Sequence, residues 1–225
     1  YTVKATGVAN VSGASTTALD VSGTAVKTSG GSTVTVAGSD SVHVSGAKGA
    51  VTVKTGKATT SMTGAVASDT GSTAGDAAGV YVTGGTTVSV TVAGDNAGAV
   101  KIGAASYEKA AVNSTGYPKS NGNVALTPTG DVTVSGIKTT TGTDGKVDAD
   151  YNGGNVTVYM NGGTSATVKG GATVAITDVQ TSGLTLASTD ATATIGTSTL
   201  ATATLAGLSG NATIKSDAIT TVNVS

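Results

Sequence analysis

Apolar and hydroxyl side chains alternate along this chain in short runs. Seven-residue blocks recur as GGSTVTV (Gly30 to Val36), GGTTVSV (Gly84 to Val90), GGTSATV (Gly162 to Val168) and GGATVAI (Gly170 to Ile176). Shorter relatives are GAVTV (Gly49 to Val53), GDVTV (Gly130 to Val134) and GNVTV (Gly154 to Val158). A period of two puts Val or Ala on one face and Thr or Ser on the other, which is the pattern of a half-buried strand. Each block therefore predicts a glycine turn followed by a short strand, with Val34 and Val36 inward and Thr35 outward. Reuse of one such unit predicts a repetitive architecture rather than a single catalytic centre.

The apolar doublets extend the pattern. In the last third they sit at Ala166/Val168, Val174/Ile176, Leu184/Leu186, Ala193/Ile195, Ala203/Leu205, Ala212/Ile214 and Val222/Val224. The first third has Val34/Val36, Val42/Val44 and Val51/Val53. Short strands at such intervals mean an all-β sandwich, barrel or solenoid. Only residues 104–112 could form a turn or two of helix, and 107–124 and 138–155 read as long loops or insertions. The chain divides into an N-terminal β-repeat region (1–105), an irregular insertion or linker (106–130) and a C-terminal β-repeat region (131–225). Asn121-Gly122, Asp144-Gly145 and Asn161-Gly162 are hairpin dipeptides and support some antiparallel pairing. The C-terminal tract repeats without them, which suits stacked parallel rungs. A parallel β-helix is the favoured fold, with antiparallel β-sandwich modules as the alternative.

Composition narrows the choice. Among 225 residues there are 34 Gly, no Cys, no Trp and no Phe, and charged residues are 11%. Ser and Thr together make roughly 30%, far above ordinary usage. Disordered Gly/Ser-rich chains avoid Val and Ile, whereas here Val recurs at strand spacing. A core of Val, Ala, Ile and a few Leu is thin, which a narrow solenoid tolerates better than a broad globule. The net charge is −1, every basic residue is Lys, and no arginine is present to fork a phosphate. Nucleic acid is therefore an unsuited partner, and no apolar run reaches membrane-span length. Tyr1 rather than Met opens the sequence, which fits a processed or excised segment.

The strongest local motif for chemistry is Asp148-Ala-Asp150-Tyr-Asn152-Gly153. Alternating oxygen ligands followed by Gly match the first half of a calcium loop, and Asp144 could add a carboxylate. The twelfth position is Tyr159 rather than Glu, so the alternative is a solvated acidic turn beside Lys146. His43, the one histidine, alternates with Val42 and Val44 and is expected to face solvent. Alone it makes no transition-metal site. No GxSxG surrounds any serine, and the arginine base common in β-helix polysaccharide lyases is missing. The chain is not expected to be an enzyme. Thr192/Thr194, Thr197/Thr199 and Thr202/Thr204 raise ice binding as a minor alternative, though their spacing along the chain wanders. Asn-x-Ser/Thr occurs at Asn10, Asn113, Asn155, Asn211 and Asn223, as weak glycosylation signals in a chain so rich in Ser and Thr.

The tail, Leu205 to Ser225, reads LAGLSGNATIKSDAITTVNVS. Its Gly210 to Val224 stretch resembles the repeat of large bacterial surface-layer and β-strand repeat proteins, and the GG blocks resemble another unit of the same proteins. The matching segments cover about half the chain. The resemblance implies an extracellular solenoid or sandwich module at the cell surface, self-assembly and often calcium. The calcium nonapeptide GGxGxDxxx of repeat toxins is missing, so calcium on that scaffold is not implied. The expected function is a structural module of an S-layer or surface filament, with copies of itself as partners and strand addition at Tyr1-Thr-Val-Lys and at the Val222 to Ser225 end. The alternative is an adhesin for a glycan, a cell-surface polysaccharide or a host surface, whose candidate contacts are Tyr107, Tyr117 and Tyr151.

Overall fold

The structure, a computed structural model, describes residues 1–6, 8–23, 25–39, 41–55, 79–93, 99–103, 127–137, 155–181 and 197–225. Within them the chain forms seventeen short strands and no helix. They are β1 (Thr2–Lys4), β2 (Val8–Gly13), β3 (Leu19–Ser22), β4 (Ala25–Gly30), β5 (Val34–Ser39), β6 (Ser41–Ala47), β7 (Val51–Thr55), β8 (Gly79–Gly84) and β9 (Val88–Ala93). There follow β10 (Ala99–Ile102), β11 (Val132–Ile137), β12 (Val156–Met160), β13 (Ser165–Lys169), β14 (Val174–Asp178), β15 (Thr202–Ala206), β16 (Ala212–Lys215) and β17 (Thr221–Val224).

Odd-numbered strands form a nine-stranded sheet and even-numbered strands an eight-stranded one, each in chain order. Every described pairing is parallel, between a strand and the next but one. The chain therefore winds back and forth between two facing sheets, one strand in each per rung. This is the parallel β-solenoid. Asn161-Gly162 does not close a hairpin: it turns the chain from β12 in one sheet to β13 in the other. Both dipeptides at 121–122 and 144–145, and the helix expected at 104–112, lie outside the described residues.

Register explains why the repeat is irregular along the sequence. Val21 pairs with Val36 and Val36 with Val53, but Val53 pairs with Val90 and Val90 with Val134. The extra residues fall between strands and leave the register unaffected. β9 pairs with β11 and β10 with β12, so strands on either side of residues 104–126 share the same two sheets.

The interior is built from rows of stacked side chains. One row runs Val36, Val53, Val90, Val134, Val168 and Leu205, and the facing sheet supplies Val42, Val80, Val100, Val156 and Val174. All are buried, as the alternation predicts. Thr35 stays half-exposed. Full burial of one such side chain contributes about 1.5–3 kcal/mol, so stability sums over many equivalent shallow contacts.

Glycine pairs make the corners possible. Gly30 (φ 73°) and Gly84 (φ 78°) end even strands in the left-handed region, which suits a residue with no Cβ. A Cβ at Gly84 would lie 2.8 Å from the Ala47 carbonyl oxygen of the rung before it. The corner backbone is itself hydrogen-bonded along the stack. Gly31 N donates to Gly13 O (3.1 Å), Lys48 N to Gly31 O (2.9 Å) and Gly85 N to Ala47 O (2.7 Å).

Two doublets that fit the core pattern are covered only in part or not at all, although Ile214 still packs against the core. Ala212 is exposed, and Val222 and Val224 are 49% and 72% exposed. β16 and β17 are the last described strands of their sheets and pair on one side only.

Candidate functional surface

The described inward side chains are buried in one core, so what the described residues present outward is faces and corners. The outward positions of the nine-stranded sheet form a hydroxyl row in strict register: Thr35, Thr52, Ser89, Thr133, Thr167 and Thr204. Spacing that wanders along the chain is thus regular in space, since the connections absorb the difference. Of the Thr pairs noted in the sequence, Thr202 and Thr204 lie on β15, Thr197 and Thr199 on the connection before it, and Thr192 and Thr194 outside the described residues.

The eight-stranded sheet has a different outer face. Lys27, His43, Tyr81 and Lys101 hold one register position on four consecutive strands, β4, β6, β8 and β10. Tyr81 meets the His43 ring edge-on, with centroids 6.4 Å apart at 80°. Lys101 Nζ lies 5.5 Å from the centroid of the Tyr81 ring, a cation–π contact. His43 does point away from the Val side of β6, but it is buried, at 4% exposure, rather than solvent-facing. In a parallel sheet, side chains at one register position stand about 4.8 Å apart, so Lys27 and Tyr81 flank His43 on the neighbouring strands.

Two carboxylates organise the corners. Asp178 is fully buried at the end of β14, opposite Met160. Its Oδ2 accepts from Thr199 N (2.7 Å) and Leu200 N (3.0 Å), and its Oδ1 from Gln180 N (3.0 Å). One side chain thus ties the two ends of the connection from β14 to β15. Beside it the hydroxyls of Thr181 and Ser198 are 3.0 Å apart, and Gln180 Nε2 donates to Asn161 Oδ1. The alternation Val174, Ile176, Asp178 was visible in the sequence and points Asp178 inward. Asp131 sits at another corner, where its Oδ1 accepts from Thr164 N (2.8 Å) and Ser165 N (2.9 Å). Partial burial pushes this carboxyl up, but the N–H groups of Ser165 and Thr164 outweigh it and hold the group below its usual value.

The calcium candidates Asp144, Asp148, Asp150 and Asn152 lie outside the described residues, as do the adhesin candidates Tyr107, Tyr117 and Tyr151. Among the described residues, no three His, Cys, Asp or Glu side chains cluster as a metal site. Nor is any helix there long and apolar enough to cross a membrane. Of the Asn-x-Ser/Thr positions, Asn155, Asn211 and Asn223 are exposed; Asn155 Oδ1 accepts the Thr173 hydroxyl at 2.6 Å. Comparison with family models, with curated proteins and with solved structures finds no match to this chain.

Proposed function

We propose that this chain is a structural module of an extracellular, self-assembling surface layer or filament. The observation that supports this reading is the parallel two-sheet stack, in which each rung repeats the pairing of the one before it and offers the same template to the next. Among the described residues β17 pairs on one side only, and Val222 and Val224, which continue the interior rows, stand exposed. An unpaired parallel edge above a bare apolar row is a template for another rung. A second copy adding its β1 edge there would repeat the same operation and give an open, head-to-tail filament. The resemblance of Gly210 to Val224 to bacterial surface-layer repeats points the same way.

Sedimentation velocity over a concentration series tests the reading. Association that grows with concentration, and its loss in Val224→Lys with unchanged melting temperature, is the expected result. A monomer at every concentration refutes it. In the same reading Asp144, Asp148, Asp150 and Asn152 hold calcium, which stabilises the folded state by about 2.7 kcal/mol at a hundredfold excess over Kd. Melting curves that coincide in calcium and in chelator exclude that part.

A further inference from the structure

We infer that the outer face of the eight-stranded sheet binds an anionic polysaccharide along the row Lys27, His43, Tyr81 and Lys101. This goes beyond the assembly reading and does not depend on it, because the row lies on a side face and none of its strands is an end strand of the sheet.

Three observations carry it. The first is geometric. The four residues share one register position on consecutive strands, so the row runs along the solenoid axis for roughly 14 Å. Each step is about 4.8 Å, close to the advance of one sugar in an extended pyranose chain. The second is chemical. Tyr81 is half-exposed and held in place, with the His43 ring packed against it at 80° and Lys101 Nζ over one face of its ring. An aromatic ring so fixed offers the part of its surface that Lys101 and His43 leave exposed to the C–H face of a sugar, with little entropy left to lose. His43 is buried and acts as a positioning residue.

The third is charge. The chain as a whole carries −1, yet the described outward residues of this sheet include Lys27, Lys101 and Lys215 and no carboxylate. The four described aspartates lie elsewhere: Asp20 on the nine-stranded sheet, Asp131 at a corner, Asp178 inside and Asp217 in the turn after β16. Lysines bracketing an aromatic complement carboxylate or sulfate groups repeated along a sugar chain. They act as point charges, without the forked geometry that arginine brings to phosphate.

Binding is measured by biolayer interferometry on immobilised polygalacturonate, dextran sulfate, neutral dextran and single-stranded DNA. Retention on polygalacturonate or dextran sulfate, weakening as salt rises, is expected, with none on dextran; the stronger of the two identifies carboxylate or sulfate. Tyr81→Ala should weaken binding about tenfold, and Lys27→Gln and Lys101→Gln about threefold each. Lys54→Gln, on the other sheet, should leave it unchanged. If Tyr81→Ala does not fold, the double variant Lys27→Gln/Lys101→Gln carries the test alone. No retention on either charged polysaccharide, equal retention on dextran, stronger binding to DNA, or equal loss in Lys54→Gln overturns the inference.

Discussion

The same doublet has opposite fates in two parts of this molecule. Val34 and Val36, in the middle of the stack, are completely buried; Val222 and Val224, at its end, are 49% and 72% exposed. Their local sequences, Val-Thr-Val and Val-Asn-Val, carry the same alternation and form the same kind of strand. Burial is therefore set by the rungs stacked on either side rather than by the strand itself. This is the behaviour of a quasi-one-dimensional protein, in which each repeat is stabilised chiefly by its neighbours.

The sharpest way to break the comparison is to place one charge in both positions. Val36→Asp buries a carboxylate under neighbours Val21 and Val53, so it should cost several kcal/mol and unfold most of the chain. Val224→Asp should cost no more than about 1 kcal/mol, because that side chain is already in water. Chemical denaturation of the two variants decides; equal losses would mean that the end row is covered in solution.

Asp178 comes next in size. Asp178→Ala leaves the N–H groups of Gln180, Thr199 and Leu200 without their acceptor; the Leu200 donor is buried and the other two partly so, and an orphaned buried donor costs about 1–3 kcal/mol. A loss of about 3 kcal/mol is expected, with faster hydrogen exchange at Thr199 and Leu200 before global unfolding. An unchanged denaturation midpoint would show that the connection holds without its carboxylate.

Thr28 tests the interior rows in the opposite direction. It is fully buried between Val11 and Val44, and its hydroxyl makes no hydrogen bond among the described residues. Thr28→Val keeps the shape and removes the unsatisfied group, so it should raise stability by about 1 kcal/mol. A destabilised variant would show that the hydroxyl has a partner in solution.

The smallest expected effect is at Asp131. Its folded carboxyl titrates below the ordinary value of about 3.9, so its contribution is complete above that value. It is lost as pH falls through the lower folded value. Asp131→Asn should lower stability near neutral pH by no more than about 1 kcal/mol, since the site is open to solvent. That difference from the parent chain should shrink as pH falls through the lower folded value and vanish below it. A difference that persists in acid would assign the loss to shape rather than charge.

Much of the fold was legible in advance, for a reason visible in the Val-x-Val blocks. A period of two fixes the faces, and the Gly30-Gly31 and Gly84-Gly85 pairs mark corners because few other residues adopt their backbone. The inward placement of Asp178 and Thr28 was legible by the same rule. Solenoid and sandwich could not be separated, because strand alternation is identical in both and Asn161-Gly162 suits a hairpin as well as a corner. The row Lys27, His43, Tyr81 and Lys101 was not legible at all. Its members come together only through register, and register depends on connections of unequal length, such as that between Thr55 and Gly79.

Fibre diffraction from concentrated, aligned protein tests the central claim most directly. If copies add rung upon rung at the end bearing Val222 and Val224, strands lie across the filament and stack along it. The spacing of about 4.8 Å should then appear on the meridian, parallel to the filament axis, and vanish in Val224→Lys. The same spacing on the equator, or no oriented assembly at any concentration, would contradict the account.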